Sequence, residues 1–167
     1  SEMNAHPHLD CTGNIAIAHN GIIENYQALK TLLKKEGNKI ISQTDSEIIA
    51  HLIEKFYQSD NLETAVAKAI KCLEGTFGLL VLDKTQDKII AVKRSSPLIL
   101  GLSHGEMFIA SDASAIILHT KKIIYLDDDE IVSVSRNGYI VKNLKGQIVD
   151  KKIHQLKLSI QEIEKKG

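Results

Sequence analysis

The chain has 167 residues, enough for one domain with a substantial apolar core, and no linker-like stretch divides it. Lys plus Arg and Asp plus Glu both total 21, so the chain lacks the basic surplus expected of a protein that binds nucleic acid or an anionic membrane. Residues 1–8 lack the basic and apolar regions of a signal peptide, and no apolar run approaches the ~18 residues that span a bilayer. Two cysteines cannot form a disulfide framework, so we expect a cytoplasmic protein.

Apolar periodicity and turn residues predict an alternation of helices and strands along the chain. The predicted elements, in order, are a strand over 15–19, a helix over 26–35, a strand over 39–43, helices over 45–57 and 62–73, strand-length runs over 76–83, 88–94, 97–103 and 106–112, a short helix over 113–119, strands over 122–126, 130–136, 139–145 and 146–150, and a final helix over 158–165. Many antiparallel strands with helices on their outer faces indicate an α+β layered sandwich.

The segment His19-Asn20-Gly21 follows an apolar strand and precedes a helix. A strand end of this kind holds the side-chain amide of Asn20 and the backbone N–H of Gly21 in fixed positions. Such paired donors can stabilise the oxyanion that forms when a nucleophile attacks a carbonyl group. The alternative is structural, since Asn-Gly is the commonest tight-turn dipeptide.

The cysteines and histidines do not by themselves indicate a metal or covalent site. Cys72 lies on the apolar face of a predicted helix and is interpreted as a core residue, whereas Cys11 lies in a polar turn with no base beside it in the sequence. The seven histidines are scattered, with no cysteine or carboxylate at ligand spacing, so no metal is expected. No glycine-rich phosphate loop or dinucleotide fingerprint is present either, so we expect no cofactor.

Three motifs, taken together, resemble the class-II glutamine amidotransferases. In chain order they are Asn4-Ala5-His6-Pro7, His19-Asn20-Gly21-Ile22-Ile23-Glu24-Asn25 and Thr44-Asp45-Ser46-Glu47-Ile48-Ile49-Ala50-His51. The similarity continues through the segments 75–77, 96–101, 108–112 and 124–128, so it covers essentially the whole chain.

The resemblance implies an N-terminal-nucleophile hydrolase fold, a four-layer αββα sandwich in which a cysteine at the chain start attacks the side-chain amide of L-glutamine. Carried over to this sequence, Asn20 and Gly21 would form the oxyanion hole. Asp45 would bind the α-ammonium group of glutamine, for which a charge-assisted hydrogen bond is well suited. His6 is interpreted as a buried hydrogen-bonding residue near the glutamine pocket.

The sequence also departs from the family pattern. Members of the family begin with the catalytic cysteine and carry an Arg-Trp-Ala-Thr-His-Gly segment before the first motif, and neither is present here. Neither Cys11 nor Cys72 lies at a chain start, so neither can replace that nucleophile. We therefore expect residues 1–167 to be a partial glutaminase domain, incomplete at the N-terminus and inactive alone.

The resemblance favours the branch of the family in which an isomerase domain, absent from this chain, follows the glutaminase domain. The full-length protein would then be a homodimer. Two alternatives remain: the glutaminase half of another class-II amidotransferase, and a glutamine-binding module without catalytic activity.

Overall fold

A computed structural model of the chain describes residues 6–58 and 60–156. Asn4 and Ala5 of the first motif and the predicted final helix lie outside the described residues. The helices are α1 (Tyr26–Lys35), α2 (Asp45–Tyr57) and α3 (Leu62–Cys72), with a 3-10 helix at Ala113–Ala115. The strands are β1 (His8–Leu9), β2 (Ile15–Ile23), β3 (Gly75–Asp83), β4 (Lys88–Arg94), β5 (Ile99–Leu102), β6 (Met107–Ala110), β7 (Lys122–Tyr125), β8 (Ile131–Ser135), β9 (Gly138–Lys142) and β10 (His154–Gln155).

The strands form two sheets whose ladders are antiparallel. The six-stranded sheet has the order β1-β2-β3-β4-β8-β9, and the four-stranded sheet has the order β10-β7-β5-β6. The longest ladder joins β2 to β3, from the pair Ile15 and Asp83 to the pair Ile23 and Gly75. This ladder lies inside the six-stranded sheet and carries the His19-Asn20-Gly21 segment.

The main core lies between the three helices and one face of the six-stranded sheet. Alternate residues of β2, namely Ile15, Ile17 and Ile23, are buried in this core together with the apolar faces of the helices. The residues of α2 from Ser46 to Ile53 are all buried, so this helix is enclosed on every side over its first turns. An amphipathic stripe alone would leave one face exposed.

A second core lies between the two sheets, and a third covers the outer face of the four-stranded sheet. The second contains Ala91, Leu98, Leu100, Ile124, Leu126, Val132, Val134 and Val141. In the third, Ile116 from the turns after the 3-10 helix packs on Ile99 and Ile123. The layer order of helices, sheet, sheet and short 3-10 segment confirms the expected α+β sandwich with antiparallel sheets.

Three predicted elements differ in the structure. The strand predicted to end at His19 continues to Ile23, because its pairing with β3 continues across Asn20-Gly21. Residues 39–43 form no strand; the N–H groups of Ile41 and Ser42 instead donate to the carboxylate of Glu47. The segment 146–150 makes only an isolated bridge between Lys142 and Ile148.

The short helix predicted before the strand over 122–126 also differs in the structure. The helix predicted over 113–119 is a short 3-10 helix, Ala113–Ala115, followed by turns. Asn25 occupies the N-cap position of α1 without a side-chain capping bond; its amide instead donates to the carbonyl of Cys72 and accepts from the N–H of Glu74. Asn25 thus ties α1 to the connection between α3 and β3.

Candidate functional site

Asn20 lies on the face of β2 that is turned toward the four-stranded sheet. Because side chains alternate along a strand, Asn20 and its buried neighbour His19 point to opposite faces. Asn20 borders a cleft of about 350 Å³ between the sheets, opposite the segments Ser96-Pro97-Leu98 and Ile109-Ala110-Ser111. The side-chain amide is therefore presented to an open cleft large enough for a small molecule.

Gly21 occupies a position that only glycine fits. Its φ is +140°, and a Cβ built there would lie 2.0 Å from the carbonyl oxygen of Thr76 on β3. The paired strand passes so close that any side chain would collide with backbone atoms. The tight-turn alternative for Asn20-Gly21 is therefore wrong, since both residues lie inside a ladder.

Asp45 approaches the same strand from α2. Its Oδ2 accepts a hydrogen bond of 2.9 Å from the N–H of Ile23, and its Oδ1 lies 3.8 Å from Nδ1 of His19. The side chain keeps 24% of its surface exposed. Among residues 6–58 and 60–156, no lysine or arginine lies within ion-pair distance of this carboxylate. His19 lies within that distance, and the carboxylate also acts electrostatically on His8.

His19 is buried and held in a polar setting. Its Nδ1 lies 2.9 Å from Oγ of Ser46, and its Nε2 is buried without a hydrogen-bond partner among the described residues. Burial lowers the pKa of His19 below its ordinary value, and the nearby His6 and His8 act in the same direction, although Asp45 opposes them. A neutral imidazole leaves the negative charge of Asp45 uncompensated.

Two further histidines line this region. His8 is buried, with Nε2 3.2 Å from Oγ1 of Thr44, and burial followed by the repulsion of His6 lowers its pKa. His6 was expected to be buried, and this is wrong: the residue is exposed, and its ring meets His8 edge-on at 5.0 Å between centroids. His6 and Pro7 are exposed, whereas His8, the next histidine along the chain, is buried.

The structure therefore brings Asp45 of α2 to His19, the residue before Asn20, on the helix side of β2. It places the Asn20 side chain on the opposite side of the strand, facing the cleft between the sheets. A ligand that contacts Asp45 as well as the donors of residues 20 and 21 must lie near Ile23, because β2 ends there and Asp45 is bonded to its N–H group.

Sequence reasoning missed one polar cluster. The structure brings together Cys11, His51 and Glu54, although 40 residues separate the first two. No local spacing could reveal this cluster, because it depends on how α2 packs against the turn before β2.

Comparison with known proteins identifies the family. The model of the glutamine amidotransferase domain matches residues 1–118. The chain belongs to this glutamine amidotransferase family. The resemblance to class-II members and the expected N-terminal-nucleophile type of fold are thereby confirmed.

Several curated relatives of this glutamine amidotransferase domain carry the name glutamine–fructose-6-phosphate aminotransferase [isomerizing]. The protein of Chlorobaculum tepidum is 45% identical over 171 residues, covering 100% of this chain and 28% of the relative. That of Thermococcus kodakarensis is 44% identical over 170 residues, with the same coverage, and that of Aquifex aeolicus is 50% identical over 154 residues, or 92% of this chain and 26% of the relative. The chain thus spans about a quarter of the length of these proteins.

Solved structures support the fold. The glutamine phosphoribosylpyrophosphate amidotransferase of B. subtilis gives a TM-score of 0.75 at 22% identity, covering 89% of this chain and 33% of that protein. A glutamine aminotransferase class-II domain protein from Silicibacter pomeroyi gives a TM-score of 0.61 at 18% identity, covering 84% of this chain and 70% of that protein. Identities this low show a common fold and nothing about the substrate.

Proposed function

We propose that the chain is the glutaminase part of a glutamine–fructose-6-phosphate aminotransferase. In this proposal L-glutamine is hydrolysed to glutamate and ammonia, and the ammonia is transferred to fructose 6-phosphate to give glucosamine 6-phosphate. The support is the name shared by relatives that are 44–50% identical to this chain. A linked isomerase domain, a homodimeric full-length protein and a cytoplasmic location belong to the same proposal.

The observation that carries the proposal is the setting of Asp45. Its carboxylate is anchored to β2 by the N–H of Ile23, remains partly exposed, and interacts with two histidines of lowered pKa, His19 and His8. A carboxylate fixed in this way is suited to an incoming cation. The α-ammonium group of a free amino acid would form a charge-assisted hydrogen bond with Oδ1, which is stronger than a bond between neutral groups.

Asn20 and Gly21 are proposed as the oxyanion hole. Asn20 supplies a side-chain N–H group at the cleft, and Gly21 supplies a backbone N–H on a strand held by the β3 ladder. Donors on a rigid ladder need little reorganisation when charge develops on the substrate oxygen, which is what makes such sites effective. His6, at the surface beside His8, is kept as a proposed glutamine contact.

The two cysteines of the described chain are not proposed as the nucleophile. Cys72 lies on α3, where its thiol donates to the carbonyl of Lys68. Cys11 lies in the turn before β2, where its thiol contacts His51 of α2. The attacking cysteine is instead proposed to be the chain-start cysteine that the family resemblance implies.

A chimera tests the glutaminase proposal. The segment of the Chlorobaculum tepidum relative that aligns with this chain is replaced by residues 1–167, and glutamate release from L-glutamine is measured. The chimera should be active. Asn20→Ala should lower kcat by about 10²–10³-fold, because one oxyanion donor is lost. Asn137→Ala, in the exposed turn of another Asn-Gly pair, is the matched control and should leave kcat unchanged.

Asp45→Asn tests the ammonium contact in the same chimera. Asparagine keeps an oxygen for the Ile23 N–H, so the fold should persist, while kcat/KM for glutamine should fall by about 10- to 150-fold. A folded chimera that releases no glutamate would overturn the glutaminase proposal, and an unchanged kcat in Asn20→Ala would overturn the oxyanion assignment. The acceptor is tested with the full-length protein, which should form glucosamine 6-phosphate from fructose 6-phosphate and no product from phosphoribosyl pyrophosphate.

A further inference from the structure

A second polar cluster lies farther along α2, separate from Asp45 and the end of β2. It joins the turn before β2 to the helix through three side chains. The thiol sulfur of Cys11 is 3.3 Å from Nδ1 of His51, and the same nitrogen is 3.4 Å from Oε2 of Glu54. All three atoms lie within 4.8 Å of one another. Six residues of helix, about 9 Å along its axis, separate His51 from Asp45.

The distances match those between ligands of one tetrahedral metal ion. With metal–sulfur bonds near 2.3 Å and metal–nitrogen and metal–oxygen bonds near 2.0–2.1 Å, tetrahedral angles place sulfur and nitrogen about 3.6 Å apart and nitrogen and oxygen about 3.4 Å apart. The observed separations of 3.3 and 3.4 Å differ from these by a few tenths of an ångström at most. Two of the three ligand pairs therefore already have tetrahedral separations, and the third pair, the thiol sulfur and the Glu54 carboxylate, lies within 4.8 Å.

The imidazole is already oriented for this role. His51 is 2% exposed, and its Nε2 is buried without a hydrogen-bond partner among the residues that the structure describes. Oε1 of Glu47 lies 3.5 Å from this nitrogen. With the proton on Nε2, directed at Glu47, the lone pair of Nδ1 is available to an ion held between the thiol and Glu54. A carboxylate behind the far nitrogen is the usual support of a metal-bound histidine.

Glu47 and Glu54 are themselves held in place. Glu47 accepts from the N–H groups of Ile41 and Ser42, and Oε2 of Glu54 accepts a 3.1 Å hydrogen bond from the N–H of Cys11. The bond from Cys11 fixes the carboxylate against the residue that carries the thiol. Cys11 itself is exposed and borders a cleft of about 610 Å³, which gives an ion an entry path and leaves room for a fourth ligand.

We propose that Cys11, His51 and Glu54 bind one zinc ion, with water or another small ligand from the cleft in the fourth position. A sulfur, nitrogen and oxygen ligand set suits zinc better than the hard cations Mg²⁺ and Ca²⁺. On binding, the thiol of Cys11 releases its proton to solvent and the resulting thiolate donates an electron pair to the metal. The ion would fasten the turn before β2 to α2, and this inference does not depend on glutaminase activity.

Cobalt(II) is the probe for this site, because it takes zinc sites and its thiolate complexes absorb light. The reduced, chelator-treated chain is titrated with Co²⁺ and then with Zn²⁺. We expect a thiolate-to-cobalt charge-transfer band that saturates at one equivalent and disappears on addition of zinc. Zinc should also raise the Tm of the chain, since a ligand that binds only the folded state stabilises it.

Cys11→Ser and Cys72→Ser form a matched pair, since each removes one of the two free thiols. Cys11→Ser should abolish the charge-transfer band, weaken zinc binding at least tenfold and remove the rise in Tm. Cys72→Ser should retain all three, and Glu54→Gln should weaken binding without loss of the band. A wild-type chain with no saturable band, or equal zinc binding by wild type and Cys11→Ser, would overturn the proposal. Circular dichroism of the metal-free variants verifies that each is folded.

Discussion

The substitution Gly21→Ala separates the backbone requirement at this position from its proposed part in catalysis. The φ of Gly21 is +140°, and an added Cβ would lie 2.0 Å from the carbonyl oxygen of Thr76 and 2.7 Å from Cα of Phe77. Both clashing atoms belong to the backbone of β3, which is held by ladders to β2 and β4. Neither atom can move aside as the end of a flexible side chain could.

The loss of stability expected for Gly21→Ala has two parts. An L-residue held in this region of φ costs about 1–3 kcal/mol. Forcing backbone apart in a packed region costs a further amount of about 1–3 kcal/mol, as in overpacked cores. We therefore expect Gly21→Ala to lower the free energy of unfolding by about 2–6 kcal/mol, a large share of the 5–15 kcal/mol typical of a domain.

Gly78→Ala is the control, because Gly78 pairs with Asn20 across the same ladder. A Cβ there would meet nothing closer than the carbonyl oxygen of Pro97 at 3.9 Å, and no positive φ is required. Urea denaturation followed by circular dichroism gives the midpoints and slopes of both variants. We expect Gly78→Ala to remain within about 1 kcal/mol of wild type. If Gly21→Ala were equally mild, the close approach of β2 and β3 would not be the reason for glycine at this position.

Two further predictions concern stability. Because His8 and His19 have lowered pKa values in the fold, the unfolded chain binds more protons below pH 6.5, so stability should fall as the pH drops from there toward the folded-state values. The loss of stability should reach at most about 1.4 kcal/mol per pH unit for each histidine. NMR titrations of the two imidazoles with midpoints at or above pH 6.5 would contradict this prediction. Leu33→Ala should cost about 2–5 kcal/mol, because Leu33 is 0% exposed, whereas Leu32→Ala, at 44% exposed, should cost less than about 1 kcal/mol in urea denaturation.

Elements with a strong local pattern could be predicted from the sequence. The helices over 26–35 and 45–57 have the predicted bounds, because apolar spacing and end signals such as Gly37 are properties of neighbouring residues. The hairpin at Asn137-Gly138 likewise joins β8 and β9 as predicted. The strand that ends at His19-Asn20-Gly21 also indicated Asn20 and Gly21 as candidate residues. The family resemblance supplied what these patterns could not, namely the type of fold and the candidate residue Asp45.

The features that could not be predicted depend on contacts between distant segments. Asn20-Gly21 is a common turn dipeptide, yet pairing with β3 holds it in a strand. A strand was predicted over 39–43, but the carboxylate of Glu47 accepts from the N–H groups of Ile41 and Ser42, which a sheet partner would need. The position of Cys11 beside His51 follows from packing alone, because no rule of sequence spacing links residues 40 apart.

The burial of α2 links the two proposed sites physically. Within the enclosed stretch from Ser46 to Ile53, the buried Glu47 bonds to the loop before the helix, since an unpaired buried polar group costs about 1–3 kcal/mol. The partly exposed Asp45 and Glu54, on either side of that stretch, bond to β2 and to the turn at Cys11. Each bond fixes the helix against a different segment, so an ion that tightened the turn at Cys11 would also restrict the helix whose first residue is proposed to bind the substrate ammonium.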